Sequence, residues 1–197
     1  MTTSRTGKPI IIADYDTSWP VRFEAERDAI NAACGRDEFV AIEHVGSTAV
    51  PGLAAKPIID MMPGVRSLAS VTQKFIGGLA GLGWEYVPEY ERSDPRWGEG
   101  MPGRRYFRKD ERGERAFHMH LVEVDSDFWI THLLFRDHLR THPDDMHAYA
   151  EVKRGIAREF NQMIGESRNF HFDYTERKSA FITSVMAKAR ARHTATP

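Results

Sequence analysis

The sequence has very little cysteine: Cys34 is the only one among 197 residues. A single cysteine cannot form an intrachain disulfide, and it cannot build a zinc site based on cysteine ligands. The chain also lacks any apolar run near the roughly 18 residues that span a membrane. Its first residues, MTTSRTGKPIIIADYD, contain an apolar run that is too short for a signal peptide. These absences exclude a disulfide scaffold and a membrane partner, and they predict a cytoplasmic location.

Neither sign of charge is in large excess, since 27 Lys and Arg residues and 28 Asp and Glu residues give a formal net charge of −1. Binding to nucleic acids or anionic membranes needs an excess of positive charge, so we expect no nucleic-acid partner. The arginines of residues 92–115 do not change this expectation, because nearby acidic residues nearly cancel them. The charges of the segments FRDHLR and YAEVKR are interpreted as a solvated, ion-paired helix surface.

The spacing of apolar residues predicts one domain of the α+β class. In order, the pattern indicates a helix ending at Cys34, strands at 39–45 and 57–62, a helix at 67–82, a strand at 84–87, a hairpin turning at 110–113, and helices beginning near 127, 143 and 173. We expect a mixed sheet with helices packed on one side and a helical C-terminal part. The domain is predicted to cover residues 9–192, with frayed ends at 1–8 and 193–197.

The polar segment 88–104 is long for a connection inside a compact domain. Connections of this length without regular structure are usually functional or mobile. We interpret Trp97 and Met101 in this segment as parts of a lid that closes over a small ligand.

The segment HVGSTAVPGLAAKPIID, residues 44 to 60, indicates a binding site for phosphate. Small residues at Gly46 and Ser47 let backbone N–H groups approach an anion, and Asp60 can hold an accompanying metal ion. The alternative interpretation is a tight connection between two strands, with Asp60 at a solvated position. Three basic residues are candidates to bind the same anion, each with a solvated surface position as the alternative: Lys56, Arg105 and Lys178.

Side chains alternate across a strand, so Asp60 is expected on the face opposite Ile59 and Met61. The same alternation predicts that four polar side chains share this face: Glu43, Asp60, His118 and His120. Two histidines at i and i+2 with a carboxylate suit manganese, iron or zinc. They also suit a general base beside a magnesium-bound phosphate. The alternative is a pair of strand histidines that are simply solvated or hydrogen-bonded.

Four segments of the chain resemble the GrpB-like family, which is placed within the nucleotidyltransferase superfamily. They are YDTSWPVRFEAER, IEHVGSTAVPGLAAKPIID, HMHLVEVDSDFWITHLLFRDHLRTHP and DYTERKSAFI, and together they span nearly the whole chain. The resemblance implies a nucleotidyltransferase-like sheet in which a Gly-Ser turn precedes a carboxylate-bearing strand. Active nucleotidyltransferases carry a second carboxylate two residues later, so that both can share a pair of magnesium ions. This chain departs from that pattern, because it has Met62 at the second position.

The residues and the resemblance together predict a metal-dependent enzyme of nucleotidyl or phosphoryl transfer, whose partner is a small phosphorylated molecule. We expect a nucleoside triphosphate as substrate and a divalent metal, Mg or Mn in preference to Zn or Fe. The predicted catalytic residues are Asp60, Glu43 and His120, the predicted metal ligands are Asp60, His118 and His120, and the predicted phosphate-binding residues are Gly46, Ser47, Lys56, Arg105 and Lys178. Two alternatives are a catalytically degenerate nucleotide-binding accessory domain, favoured by Met62, and a metal-dependent hydrolase that uses the two histidines. The oligomeric state is left open.

Overall fold

The computed structural model describes residues 8–71, 73–93, 100–162 and 177–193. Within these ranges, five α-helices are α1 (Ser18–Cys34), α2 (Gln73–Gly81), α3 (Asp127–Thr141), α4 (Pro143–Gln162) and α5 (Ser179–His193). Five β-strands are β1 (Ala41–Val45), β2 (Ile59–Val65), β3 (Trp84–Tyr86), β4 (Arg104–Glu111) and β5 (Glu114–Glu123). The predicted α+β class is therefore confirmed.

The five strands form one mixed sheet with the order β1-β2-β5-β4-β3. β2 and β5 run parallel, whereas the other neighbouring pairs are antiparallel. The β4–β5 hairpin closes at Arg112 and Gly113, whose φ angles of 52° and 79° suit a two-residue turn with positive φ at both positions. The predicted mixed sheet and hairpin are both confirmed.

One face of the sheet is covered by α1 and α2. Ile59 and Met61 of β2 are fully buried on this face, together with the apolar residues of β4 and β5. α1 contributes Phe23 and Ile30 to the same core, while α2 contributes Phe75 and Leu79. Because β2 side chains alternate, this packing leaves Asp60 on the opposite face, as the sequence predicts.

Helix α3 packs against part of that opposite face. Val45, Met62 and Val122 form a second apolar cluster there, against Phe128, Trp129 and Leu133 of α3. Trp129 lies so close to β2 that a Cβ on Gly64 would come within 2.7 Å of its ring. The prediction that helices pack on only one side of the sheet is therefore wrong for α3. Its apolar residues follow the strand directly and return over the face that strand alternation leaves open.

Helices α3, α4 and α5 pack against the connection between β1 and β2. Their shared core with this connection consists of the buried residues Val50, Leu53, Ala54, Leu139, Tyr149, Ala150 and Val185. The predicted helical C-terminal part is present in the described residues, and its packing positions the segment between Gly46 and Lys56.

Strand β2 is longer than predicted, since it continues through Pro63 and Gly64 to Val65. Pro63 lacks an N–H group and is unusual inside a sheet. The pairing of β2 with β5 is interrupted at Met62 and Pro63 and resumes at Gly64, while the pairing with β1 continues opposite both residues. The antiparallel partner β1 thus keeps the strand in place where the proline interrupts the other ladder.

The predicted lid is only partly described. Residues 94–99, which include Trp97, lie outside the described residues, whereas Met101 is 46% exposed. The lid therefore stays a prediction. Among the described helices, none combines the length and apolarity needed to cross a bilayer.

His44 of β1 is a buried histidine on the core face. Its ring stacks on Phe23 at 4.7 Å, and its Nε2 lies 3.0 Å from the hydroxyl of Thr48. That hydroxyl donates to the carbonyl of Ile58, so it accepts from Nε2–H of a neutral His44 ring. Burial is the main cause that lowers the pKa of His44 to about 4, because the interior disfavours the charged ring.

We expect His44 to make the folded protein sensitive to acid. Between its ordinary pKa of 6.5 and its folded pKa of about 4, the unfolded state binds the extra proton, so the free energy of unfolding falls as pH falls through this window. Urea unfolding at several pH values should show this fall in the wild type and a smaller one in His44→Gln. Parallel pH profiles for the two proteins would contradict the assignment.

Candidate functional site

The turn after β1 packs directly on the carboxylate of Asp60. Gly46 has a φ of 70°, and a Cβ at this position would lie 2.2 Å from Oδ2 of Asp60. Glycine is therefore required twice, for its backbone conformation and for the space that it leaves to the carboxylate. Ser47 begins a short 3₁₀ turn, and the guanidinium of Arg140 donates to the carbonyl of Ala49 at its end at 2.8 and 3.0 Å. The predicted turn and carboxylate are thus neighbours.

Asp60 and His118 form a pair across the parallel strands β2 and β5. The register places the two residues opposite each other, and Nδ1 of His118 lies 3.2 Å from Oδ1 of Asp60. Each side chain is 29% exposed, which leaves the pair accessible from the open part of the face. Because a carboxylate accepts, Nδ1 of His118 donates, and Nε2 is the acceptor in a neutral ring. His120 and Glu43 share this face, as predicted from alternation.

His120 is engaged by an arginine. Nη1 of Arg104 lies 2.8 Å from Nδ1 of His120, and because a guanidinium only donates, Nδ1 must accept. Burial and the charge of Arg104 hold the pKa of His120 well below its usual range, so the ring is neutral with its proton on Nε2. His132 of α3, which the sequence does not identify, lies beside it with ring centroids 6.3 Å apart. Nδ1 of His132 donates to the carbonyl of Phe128 at 2.7 Å, and burial lowers its pKa as well.

The carboxylate and methionine at the predicted metal site have other structural roles. Glu43 forms an ion pair with Arg136 of α3 at 2.6 Å, and Arg136 also donates to the carbonyl of His44. Met62, at the second carboxylate position of the superfamily pattern, is fully buried under α3. Among the described residues, no three His, Cys, Asp or Glu side chains are placed to hold one metal ion. The observed contacts therefore do not place Asp60, His118 and His120 around one metal ion.

Lysines from three separate elements converge near Asp60. They are Lys56 before β2, Lys153 of α4 and Lys178 just before α5, and we name them the lysine cluster. Burial lowers the pKa of Lys56 to about 8 and that of Lys153 to about 7, and in both cases the charge of Lys178 acts in the same direction. Burial also lowers the pKa of Lys178. The charge of Asp60 opposes each shift, so one carboxylate influences all three amines.

Lys153 was not identified from the sequence, where YAEVKR was interpreted as a solvated surface. That interpretation is wrong for this residue, which is only 2% exposed. Its amine donates to the carbonyl of Ala54 and lies 4.5 Å from the centre of the Tyr149 ring. The helical spacing of Tyr149, Lys153 and Ile156 places the lysine on the apolar face of α4, which was the available signal.

Arg105 does not belong to this site. Arg105 is paired with Leu121 and lies on the face of the sheet opposite Asp60. Its guanidinium forms an ion pair with Glu91 at 3.1 Å. Its neighbour Arg104 lies on the face of Asp60, opposite Val122. The predicted phosphate ligand Arg105 is therefore corrected to a structural ion pair, while Lys56 and Lys178 do lie near Asp60.

We expect Gly46→Ala to lower the free energy of unfolding by more than about 2 kcal/mol, because strain at positive φ is added to a clash with Asp60. Gly113→Ala is the matched control, since Gly113 also has positive φ, at 79°, but a Cβ there would meet nothing within 4 Å. The control should lose only about 1 kcal/mol, the cost of the backbone conformation. Equal losses in urea unfolding would contradict the close packing of the turn on the carboxylate.

Comparison with known proteins gives one consistent relationship. A family model described as "GrpB protein" matches residues 9–188. The UPF0157 protein YqkA of Bacillus subtilis is 38% identical over 89% of this chain, and the chain spans 46% of that relative's length. A UPF0157 protein of Pseudomonas aeruginosa is 39% identical over 92% of this chain, and the match covers 68% of that relative's length. The crystal structure of the conserved protein GrpB from Enterococcus faecalis matches with a TM-score of 0.75 at 29% identity, over 93% of this chain and 99% of that chain.

Proposed function

We propose that this chain, which belongs to the GrpB family, binds a small phosphorylated molecule at the lysine cluster beside Asp60. The observation that carries the proposal is the convergence of three lysines with lowered pKa near the carboxylate of Asp60. Burial and the charge of Lys178 both make the amines of Lys153 and Lys56 costly to keep charged. A phosphate ester with two negative charges would stabilise the charged forms of these amines.

The turn at Gly46 and Ser47 supports the same ligand. Small residues let backbone N–H groups approach a phosphate, and the Ser47 hydroxyl is a further donor. The close packing of this turn on Asp60 also supports the hypothesis of a nucleotidyltransferase-type arrangement, in which the anion lies next to the first carboxylate. Glu43 and Met62 do not provide further metal ligands, so the proposed chemistry uses only the side chains present.

The proposed reaction is transfer of a phosphoryl or nucleotidyl group to the hydroxyl of a small acceptor. Asp60 accepts a hydrogen bond from Nδ1–H of His118, so Nε2 of the same ring is the nitrogen that can accept a proton. In this step the acceptor O–H proton moves to Nε2, the acceptor oxygen forms a bond to phosphorus, and the bond to the leaving phosphate breaks. The lysine cluster would stabilise negative charge on the transferred and leaving groups.

A second candidate is an accessory domain that binds the same ligand without turnover. The observation in its favour is Met62, which is fully buried in apolar packing where the superfamily pattern has a carboxylate. Asp60→Asn distinguishes the two candidates, because it should remove turnover in an enzyme, whereas a binding domain has no turnover to lose.

Binding should depend on Lys153. We expect inorganic phosphate or one of ATP, GTP, CTP and UTP to raise the melting temperature by mass action. Lys153→Met should weaken that ligand's binding about tenfold or more, because a charge-assisted contact is lost. The variant should fold, since an apolar side chain of similar length suits a position that is 2% exposed.

Lys188→Met is the control, since Lys188 of α5 is 53% exposed and pairs with Asp145. This variant should bind the ligand as the wild type does. Equal affinity in Lys153→Met and the wild type would contradict the proposed site. Parallel titrations with and without magnesium or manganese test the predicted metal dependence directly.

Anion binding should take up protons and weaken as pH rises. At pH 8 the amines of Lys153 and Lys56, with pKa values of about 7 and about 8, are largely or partly neutral in the free protein. A bound phosphate favours their charged forms, so protons are taken up and the affinity for ATP falls between about pH 7 and pH 9. Calorimetry in two buffers of different ionisation enthalpy measures this uptake. Proton release on binding, or an affinity that rises with pH, would contradict it.

A further inference from the structure

Arg104 is a partly buried arginine that forms no ion pair with the described residues, although the charge of Glu91 favours its charged form. Its side chain is partly buried beside the ring of Tyr106, with the guanidinium carbon 4.9 Å from the ring centre. Its one side-chain hydrogen bond in the described residues goes to Nδ1 of His120, which is neutral. Its Nε is buried and finds no hydrogen-bond partner there. No carboxylate of the described residues forms an ion pair with it.

This arrangement is unfavourable in the free protein. A guanidinium has five N–H donors. A buried donor without an acceptor has lost the hydrogen bond that water would otherwise accept, and this loss costs free energy. The other arginines of β4 avoid this cost: Arg105 pairs with Glu91, and Arg108 makes two hydrogen bonds to Glu85 at 2.6 and 2.7 Å. Arg104 therefore has the properties of a residue whose acceptor is a ligand.

The position of Arg104 relates it to the proposed site. It lies on the same sheet face as Asp60, and its guanidinium reaches His120, which is two residues along β5 from His118. Two residues of a strand span about 7 Å, so the group bound by Arg104 lies within a small molecule's length of the Asp60–His118 pair. The Asp60–His118 pair contributes to both relations, since Asp60 acts on the lysine cluster and His118 lies two residues from His120.

We propose that Arg104 and Nε2–H of His120 bind a carboxylate on the same ligand whose phosphate is held by the lysine cluster. The charges are complementary, since a single guanidinium beside two neutral histidines matches one negative charge, whereas three lysines match a phosphate dianion. The planar guanidinium also matches the two oxygens of a carboxylate. This inference rests on the proposed function and identifies the ligand class as phosphorylated carboxylic acids.

The test compares two probes that differ only in the group at one end. 3-Phosphoglycerate has a carboxylate where glycerol 3-phosphate has a CH₂OH group, and both carry the same phosphate ester. In titration calorimetry, the wild type should bind 3-phosphoglycerate about tenfold or more tightly than glycerol 3-phosphate. Arg104→Gln should bind both equally, at the affinity of the wild type for glycerol 3-phosphate.

Arg108→Gln is the matched control, because Arg108 lies on the same strand and face but is already paired with Glu85. It should keep the preference for 3-phosphoglycerate. A preference that survives in Arg104→Gln, or that is absent from a wild type whose binding of both probes still needs Lys153, would overturn this inference and leave the phosphate site standing. Failure of both probes to bind would overturn the inference and count against the phosphate site as well.

The melting temperature of the ligand-free variant gives an independent readout. If Arg104 serves a ligand, Arg104→Gln should melt no lower than the wild type, because the variant no longer buries an unpaired guanidinium. A clearly lower melting temperature would assign Arg104 to the architecture of the fold instead.

Discussion

The negative charge of Asp60 is the interaction on which the rest of the site depends. Parallel pairing of β2 with β5 sets this carboxylate beside His118, and the absence of a Cβ at Gly46 lets the turn pack against it. The charge of Asp60 also reaches the lysine cluster, where it opposes the lowering of pKa that burial imposes on each amine. The negative charge of Asp60 therefore acts on all three amines and favours their charged forms.

Helix α3 determines which groups of this face remain available for chemistry. Arg136 of this helix forms an ion pair with Glu43, and Arg140 donates hydrogen bonds to the carbonyl at the end of the turn. The apolar residues of the helix pack over Met62. The same helix adds His132 next to His120. Strand alternation places Glu43 and His120 on this face. Helix α3 pairs Glu43 with Arg136 and adds a second histidine ring beside His120.

The two ends of the face obtain their positive charge in different ways. Burial lowers the pKa of His120 and His132, so among these three side chains the positive charge resides on Arg104. At the other end the amines of Lys153 and Lys56 have pKa values of about 7 and about 8, so their charge changes with pH near neutrality. A buried guanidinium stays charged under all ordinary conditions, whereas a buried amine does not.

The sequence by itself determined the α+β class, the hairpin and the shared face of Asp60, His118 and His120, because strand alternation and turn composition are local properties. The motif at Gly46 also indicated the turn beside the carboxylate. Only the tertiary structure showed that the candidate Arg105 lies on the face opposite Asp60 and that its neighbour Arg104 lies on the same face as Asp60, since consecutive strand residues point to opposite faces. It also decided the burial of Lys153 and the covering of Met62 by α3. These outcomes depend on contacts between elements far apart in the chain. Helical spacing indicates that Lys153 lies on the apolar face of α4, but it does not specify which elements enclose it.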